Sequence, residues 1–200
     1  YGNVLDLTDP GFQTFRDHRI AVYDGALLYA DSQIARVLAR LDAPPFRGQT
    51  LVVLTSDHGE EFWDHALEQA AMRDDPRGFW GVGHGHTLYE EQLHVPLVVS
   101  GGRFAGGRID PCPASLLDIV PTLLAEAGLP GLSRMLGRPL QAPDEQTPQT
   151  RCPNRPLAAS STAYGPDAHA LRLQNWKLVE AHGRSAQLFD LDEDPQERRD

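Results

Sequence analysis

The sequence predicts an α/β protein built in layers, and three observations predict it. A long stripe-bearing helix precedes two short, almost wholly apolar runs, Leu51–Leu54 and Val95–Val99, and a second helix follows them. Helix, buried strand, polar loop, buried strand, helix is the order of a layered α/β domain. Near the C-terminus the pattern changes to short strand-like runs separated by a Gly183 turn, which predicts a small antiparallel β subdomain.

Each element has its own warrant. Residues 1–11 hold Gly2, Asn3, Asp9, Pro10 and Gly11 and read as loop. From Phe12 to Leu41, the residues Ile20, Tyr23, Leu27, Ala30, Ile34, Val37, Leu38 and Leu41 recur at three- and four-residue spacing. That spacing places one apolar stripe on a helix. Pro44 and Pro45 stop it. Thr50–Ser56 is β-branched and apolar on both faces, which predicts a central strand of a parallel sheet, buried on both sides. Residues 57–91 are polar and irregular. Val95–Ser100 is a second buried strand, with Pro96 near its start, where proline is tolerated. Ser115–Ala127 reads as a helix that Pro121 kinks or restarts and Gly128 ends. Five prolines within residues 139–156 mark an irregular connection. Beyond it, Ala170–Val179 and Ala186–Leu191 read as a hairpin. The expected organisation is a main α/β unit over residues 1–138, the Pro-rich connection over 139–156, and a small subdomain over 157–200.

Composition narrows the function classes. Two hundred residues allow one ordinary domain, or one plus an appendage. Eighteen basic against 28 acidic residues leave a net charge of −10, which speaks against general binding of nucleic acid or anionic membranes. An anionic substrate would need a local positive device, for which a metal ion is the obvious means. No run of about 18 apolar residues offers a membrane-spanning helix. Two cysteines, Cys112 and Cys152, exclude a disulfide scaffold; one disulfide between them stays open, and loop or half-buried thiols beside proline are the favoured reading. The chain begins at Tyr1 without a leader-like segment, so it reads as an interior piece of a longer protein, with periplasmic and cytoplasmic locations both open.

The chemistry concentrates in two segments. Thr55-Ser56-Asp57-His58-Gly59-Glu60-Glu61 directly follows the carboxyl end of a buried strand, the edge where open α/β sheets bind ligands. Asp57 offers a carboxylate oxygen and His58 an imidazole nitrogen, and Gly59 permits the sharp bend that aims neighbours at one ion. Such a pair suits Zn²⁺ or Mn²⁺, and Ca²⁺ where other oxygens complete the shell. The second segment, Gly83-His84-Gly85-His86-Thr87-Leu88-Tyr89-Glu90-Glu91, carries two histidines on free backbone, able to donate to an oxyanion or protonate a leaving group. Trp63, His65 and Trp80 read as packing or a substrate rim, with Phe79 beside them as a stacking surface. His94 reads as structural, His18, His169 and His182 as surface residues, and the acidic run Asp190–Glu197 as a solvated face.

Five segments in order resemble the C-terminal half of a sulfatase-type member of the alkaline phosphatase superfamily. They are the helix Tyr23–Asp31, the strand end Thr50–Glu60, Gly83–Pro96 (GHGHTLYEEQLHVP), Asp118–Leu124 (DIVPTLL), and Leu188–Glu197 (LFDLDEDPQE). The resemblance implies an alkaline phosphatase-like α/β/α sandwich, present in part. It implies hydrolysis of a sulfate ester, with Asp57 and His58 as metal ligands. The divalent ion would be Ca²⁺ ahead of Mn²⁺ or Zn²⁺. The family often places a Lys on the sulfate. Counting back from Pro96 puts that position at Gly85, between His84 and His86, with His86 favoured as the catalytic contact.

The family nucleophile, a Cys or Ser in Cys/Ser-x-Pro-x-Arg, has no match: Cys112 precedes Pro-Ala-Ser and Cys152 precedes Pro-Asn-Arg. The nucleophile (a formylglycine in sulfatases) and the early aspartate ligands are expected upstream of Tyr1, and the chain alone is expected to be catalytically silent. The expected substrate is a small-molecule or carbohydrate sulfate ester. Two other readings stay open: a phosphonate or phosphodiester hydrolase or phospho-group transferase on the same scaffold, and a degenerate paralogue that only binds.

Overall fold

The computed structural model describes residues 6–72, 76–78, 80–104, 107–142 and 152–199, of which Met72 is described for its backbone only. Helix α1 runs from Pro10 to Leu41. Its start follows from chemistry: Pro10 occupies the first turn, and the Asp9 carboxylate accepts from the Phe12 amide at 2.8 Å. The first half of α1 carries its aromatic packing. Phe12 and Phe15 set their edges against Trp63 at 5.3 and 5.7 Å, and Tyr23 meets Phe62 at 5.2 Å. Further along, the predicted stripe is not buried: Leu27, Val37 and Leu38 are 53%, 59% and 39% exposed. Their spacing encodes a helix face, but no described element covers it.

Strand β1 (Val52–Thr55) pairs with β4 (Leu97–Ser100). The pairing is antiparallel, with Val53 opposite Val99, which corrects the expectation of a parallel neighbour. Apolar residues on both faces report burial, not strand direction. Nor is burial complete on both faces here, since Leu54 and Val98 are 38% and 52% exposed. Between the two strands lies the polar loop, which is more ordered than its composition predicts. It contains β2 (Glu61–Phe62), α2 (Ala66–Met72), β3 (Val82–Gly83) and α3 (Glu90–Leu93). Antiparallel β2 and β3 set Glu61 opposite Gly83 and so join the two chemistry-bearing segments.

Helix α4 (Ile119–Glu126) is entered through a 3₁₀ turn, Leu116–Asp118. Ser115 and Asp118 form a reciprocal capping box, so Pro121 falls in the first turn, where it breaks nothing. Gly128, at φ +67°, ends the helix. Burial works to raise the Asp118 carboxyl, but bonds from Arg155, the Arg138 amide and the Ser115 amide hold it below its ordinary value. Cys112 and Cys152, read from sequence as loop thiols, are joined in a disulfide with Cα atoms 5.1 Å apart. Sequence spacing could not reveal this, because the two cysteines are brought together by contacts distant in sequence, such as that of Arg155 with Asp118.

The C-terminal sheet has the order β5-β6-β7-β8, all antiparallel. The run read as one strand is two, β6 (Ala168–Leu173) and β7 (Trp176–Ala181), turning at Gln174–Asn175. Gln174 takes φ +57°, a turn that no glycine announces. The Gly183 turn links β7 to β8 (Gln187–Asp190), and β5 (Leu157–Ser160) was not foreseen. This sheet packs Ala168, Ala170, Val179 and Phe189 on Leu88 and Tyr89, which fixes the segment just after the histidine pair.

Nor is the acidic run simply a solvated face. Asp194 and Glu197 are 7% and 2% exposed. The Glu197 carboxylate accepts from the Glu90 amide at 2.5 Å and meets the ammonium of buried Lys177 at 2.8 Å. Its burial pushes the Glu197 carboxyl up despite that cation. The ammonium of Lys177 also meets Glu90 at 2.9 Å, so a buried charge network locks the C-terminal segment onto α3.

Candidate functional site

The chain leaves β1 into a bend that gathers side chains from three segments. At its tip the Asp57 carboxylate accepts from the His58 amide at 3.1 Å, and one oxygen lies 3.6 Å from His58 Nε2. The two donors face each other, and Asp57 is 87% exposed on its side chain. His58 Nδ1 contacts the Gly59 carbonyl at 2.7 Å, and that acceptor assigns the ring proton to Nδ1 and the lone pair to Nε2. Gly59 is required for space: a Cβ there would lie 2.0 Å from the Glu91 carbonyl oxygen. Its amide donates to the Gln92 carbonyl at 2.9 Å, pinning the bend to α3.

His84 joins this bend and His86 does not. The His84 ring stacks on His58 with centroids 3.7 Å apart and planes inclined by 24°. Its Nδ1 lies 2.9 Å from Glu60 Oε2, and its side chain remains about half exposed. Two positions on, the chain has turned through Gly85, at φ +79°, and His86 points inward. His86 Nε2 sits 2.7 Å from Glu61 Oε2, with both side chains buried. Glu60 and Glu61 therefore divide the two histidines between them, one pair facing solvent and one facing the interior.

The inner pair belongs to a closed network. Gln69 donates to both Glu61 oxygens at 3.0 and 2.8 Å, and the His65 amide donates to Oε1 at 3.0 Å. Burial works to raise the Glu61 carboxyl, but the His86 and Gln69 bonds outweigh it and hold the group below its ordinary value. The His65 ring is spanned by acceptors, Glu91 Oε1 at 2.8 Å on Nδ1 and the Glu197 carbonyl at 3.1 Å on Nε2. Burial opposes its charge, but the Glu91 contact prevails and raises the imidazolium to about 9. Gln92 braces the histidine turn: its amide donates to Thr87 Oγ1 at 2.8 Å, and its carbonyl accepts from the Gly85 amide at 2.8 Å.

Sequence reasoning missed Glu60, Glu61, Glu91 and Gln92. A signal was available. Adjacent glutamates in an extended segment point to opposite sides, as do histidines two apart across a left-handed glycine. Of the predicted rim, Trp63 is core at 4% exposure, and Phe79 lies outside the described residues.

Among the described residues, two His–carboxylate groups have donor atoms within 4.8 Å of one another: His58, Glu60 and His84, and Glu61, His65 and Glu91. The second has its donors engaged by the network just described. Asp57 belongs to neither group, but its carboxylate lies 3.6 Å from His58 Nε2 at the open carboxyl end of the strand, a carboxylate and an imidazole of the kind that share a divalent-ion shell.

The sequence model of the Sulfatase family matches residues 5–129. Arylsulfatase K of Xenopus laevis is 32% identical over 196 residues, covering 92% of this chain and 34% of that protein. The chain thus spans about a third of the length of the curated relatives it matches. The structure of BT4656 in complex with its substrate D-glucosamine-2-N,6-O-disulfate superposes with a TM-score of 0.65 at 21% identity, over 87% of this chain and 34% of that one. Phosphonate monoester hydrolase of Agrobacterium radiobacter superposes with a TM-score of 0.64 at 26% identity, over 88% and 36%. The fold is accordingly the alkaline phosphatase-like α/β fold, held in part, with its small C-terminal antiparallel subdomain. With a family match across more than half its length and that fold, this chain is a member of the sulfatase family.

Proposed function

We propose that the chain forms the Asp-His side of the active site of a sulfatase-like metallohydrolase that cleaves sulfate esters. One observation carries this reading: Asp57, His58 and His84, from segments more than twenty residues apart, meet in one open bend at the end of β1. Asp57 and His58 would hold a divalent ion, which when bound supplies neutralisation of charge on the transferred group and a lowered pKa for the nucleophile. The imidazole nitrogen favours Mn²⁺ or Zn²⁺ unless other oxygens complete a Ca²⁺ shell. His84 would contact a non-bridging oxygen or hand a proton to the leaving oxygen, oriented for that by Glu60 on its Nδ1. His86, favoured from sequence, instead supports the wall behind it, because its Nε2 is committed to Glu61 inside the protein.

The chain by itself is expected to be silent. Both of its cysteines are paired with each other, so neither is a free thiol for a covalent step. A sulfated carbohydrate is the substrate class that the BT4656 complex supports. In the full-length enzyme, Asp57→Ala should lower metal content and abolish turnover, and unchanged metal content removes Asp57 from the ligand set. His84→Ala should cost about 10²–10³ in kcat, the loss typical of one preorganised donor, whereas retention of full activity assigns the contact elsewhere.

A second reading keeps the site and changes the ester. The likeness to a phosphonate monoester hydrolase favours it, and an Asp-His pair serves both chemistries. Parallel kcat/KM measurements on an aryl sulfate and an aryl phosphonate monoester with the full-length enzyme separate the two.

A further inference from the structure

The open bend holds more donors than the Asp57–His58 pair uses. His58, Glu60 and His84 come from the strand end and from the histidine turn, with one donor atom of each within 4.8 Å of the others. Two donors bound to one tetrahedral Zn²⁺ at about 2.0–2.2 Å lie about 3.3–3.6 Å apart, so binding draws the donors together by at most about 1.5 Å. The rings are already brought together, stacked at 3.7 Å. His58 also has an outside acceptor on Nδ1, the Gly59 carbonyl, while His84 Nδ1 faces Glu60 Oε2, so an ion held by both would sit between them in place of that contact. An acceptor on one ring nitrogen leaves the lone pair on the other, the usual arrangement of metal-binding imidazoles. All three side chains reach solvent, at 41%, 20% and 48% exposure, so an ion has an entry path.

We propose that His58, Glu60 and His84 form a binding site for a borderline transition-metal cation such as Zn²⁺, complete within this chain and distinct in donor set from the Asp57–His58 pair. Two imidazoles and one carboxylate make a three-ligand Zn²⁺ site whose fourth position takes water. The same set is poor for Ca²⁺, which needs six to eight oxygens. The binding rests on this geometry alone. Its consequence rests on the hydrolase reading: a Zn²⁺ ion here would take His84 from the substrate and so inhibit the enzyme.

The site is tested by calorimetric titration of ZnCl₂ into the 200-residue chain, which needs no turnover and so stands or falls apart from the hydrolase reading. The expected result is one Zn²⁺ per chain, undiminished by excess CaCl₂. His84→Ala and Glu60→Gln should each weaken binding at least about tenfold. No binding by the folded wild-type chain, or wild-type affinity in either variant, overturns the proposal. A second measurement on the unmodified chain avoids any question of variant folding. Zn²⁺ should slow diethyl pyrocarbonate modification of His58 and His84, read by mass spectrometry, and leave exposed His18 and His169 unchanged. Uniform protection, or none at His58 and His84, also overturns it.

Discussion

Two histidine–glutamate pairs sit back to back in this protein, each at the heart of a different cluster. In the open one, Glu60 meets His84 at 2.9 Å and His84 stacks on His58. In the closed one, Glu61 meets His86 at 2.7 Å, and Gln69, His65, Glu91 and Glu197 complete the surroundings. The glutamates are one residue apart in sequence and the histidines two, but their physics differs in kind. Buried polar groups are stable only when fully bonded, and the closed cluster meets that demand. The open one has water as a partner and can exchange it for a ligand. Identity of residue type therefore does not assign a role; the number of hydrogen bonds already committed does.

The largest test of this contrast removes matched glutamates. Glu61→Ala strands His86 and Gln69 in the interior and should destabilise the chain by about 3–5 kcal/mol in urea titration. Glu60→Ala, at the open cluster, should cost no more than about 1 kcal/mol in the same experiment. Equal costs break the comparison.

A smaller effect follows from pH. The folded state raises the His65 imidazolium to about 9, above its unfolded value of about 6.5. Its contribution is then fully present below about pH 6.5 and is lost as pH rises through about 9. Thermal unfolding midpoints should fall across that window in the wild type and more weakly in His65→Gln. A midpoint that rises from pH 7 to 9 contradicts the assignment of charge to His65.

Smaller still is Gly59→Ala, which forces a Cβ onto the Glu91 carbonyl, 2.0 Å away before relaxation. Overpacking of this kind costs about 1–3 kcal/mol, and the strain falls on the bend that presents Asp57 and His58. An unchanged unfolding midpoint would show that the bend tolerates displacement.

Much of the frame was legible in the sequence, for local reasons. Asp9-Pro10 starts α1, Gly128 ends α4, and Asp57-His58 stands where an apolar strand gives way to polar residues. What was not legible depends on contacts across the chain. The direction of β4 relative to β1, the Cys112–Cys152 bond and the burial of Lys177 against Glu90 and Glu197 have no local signature. Nor could spacing choose between His84 and His86, because the choice is made by the left-handed turn at Gly85 together with the β2–β3 register. The α1 stripe was legible as a helix face but not as an exposed one, since exposure depends on what packs against it.

The central claim, that the outer cluster is free to take a cation and the inner one is not, is most directly tested by adding Mn²⁺ to the 200-residue chain and following its histidine ring signals by NMR. Paramagnetic broadening should appear first at His58 and His84, with His65 and His86 sharp at the same Mn²⁺ ratio. Broadening that begins at His65 or His86, or reaches all histidines together, contradicts the account.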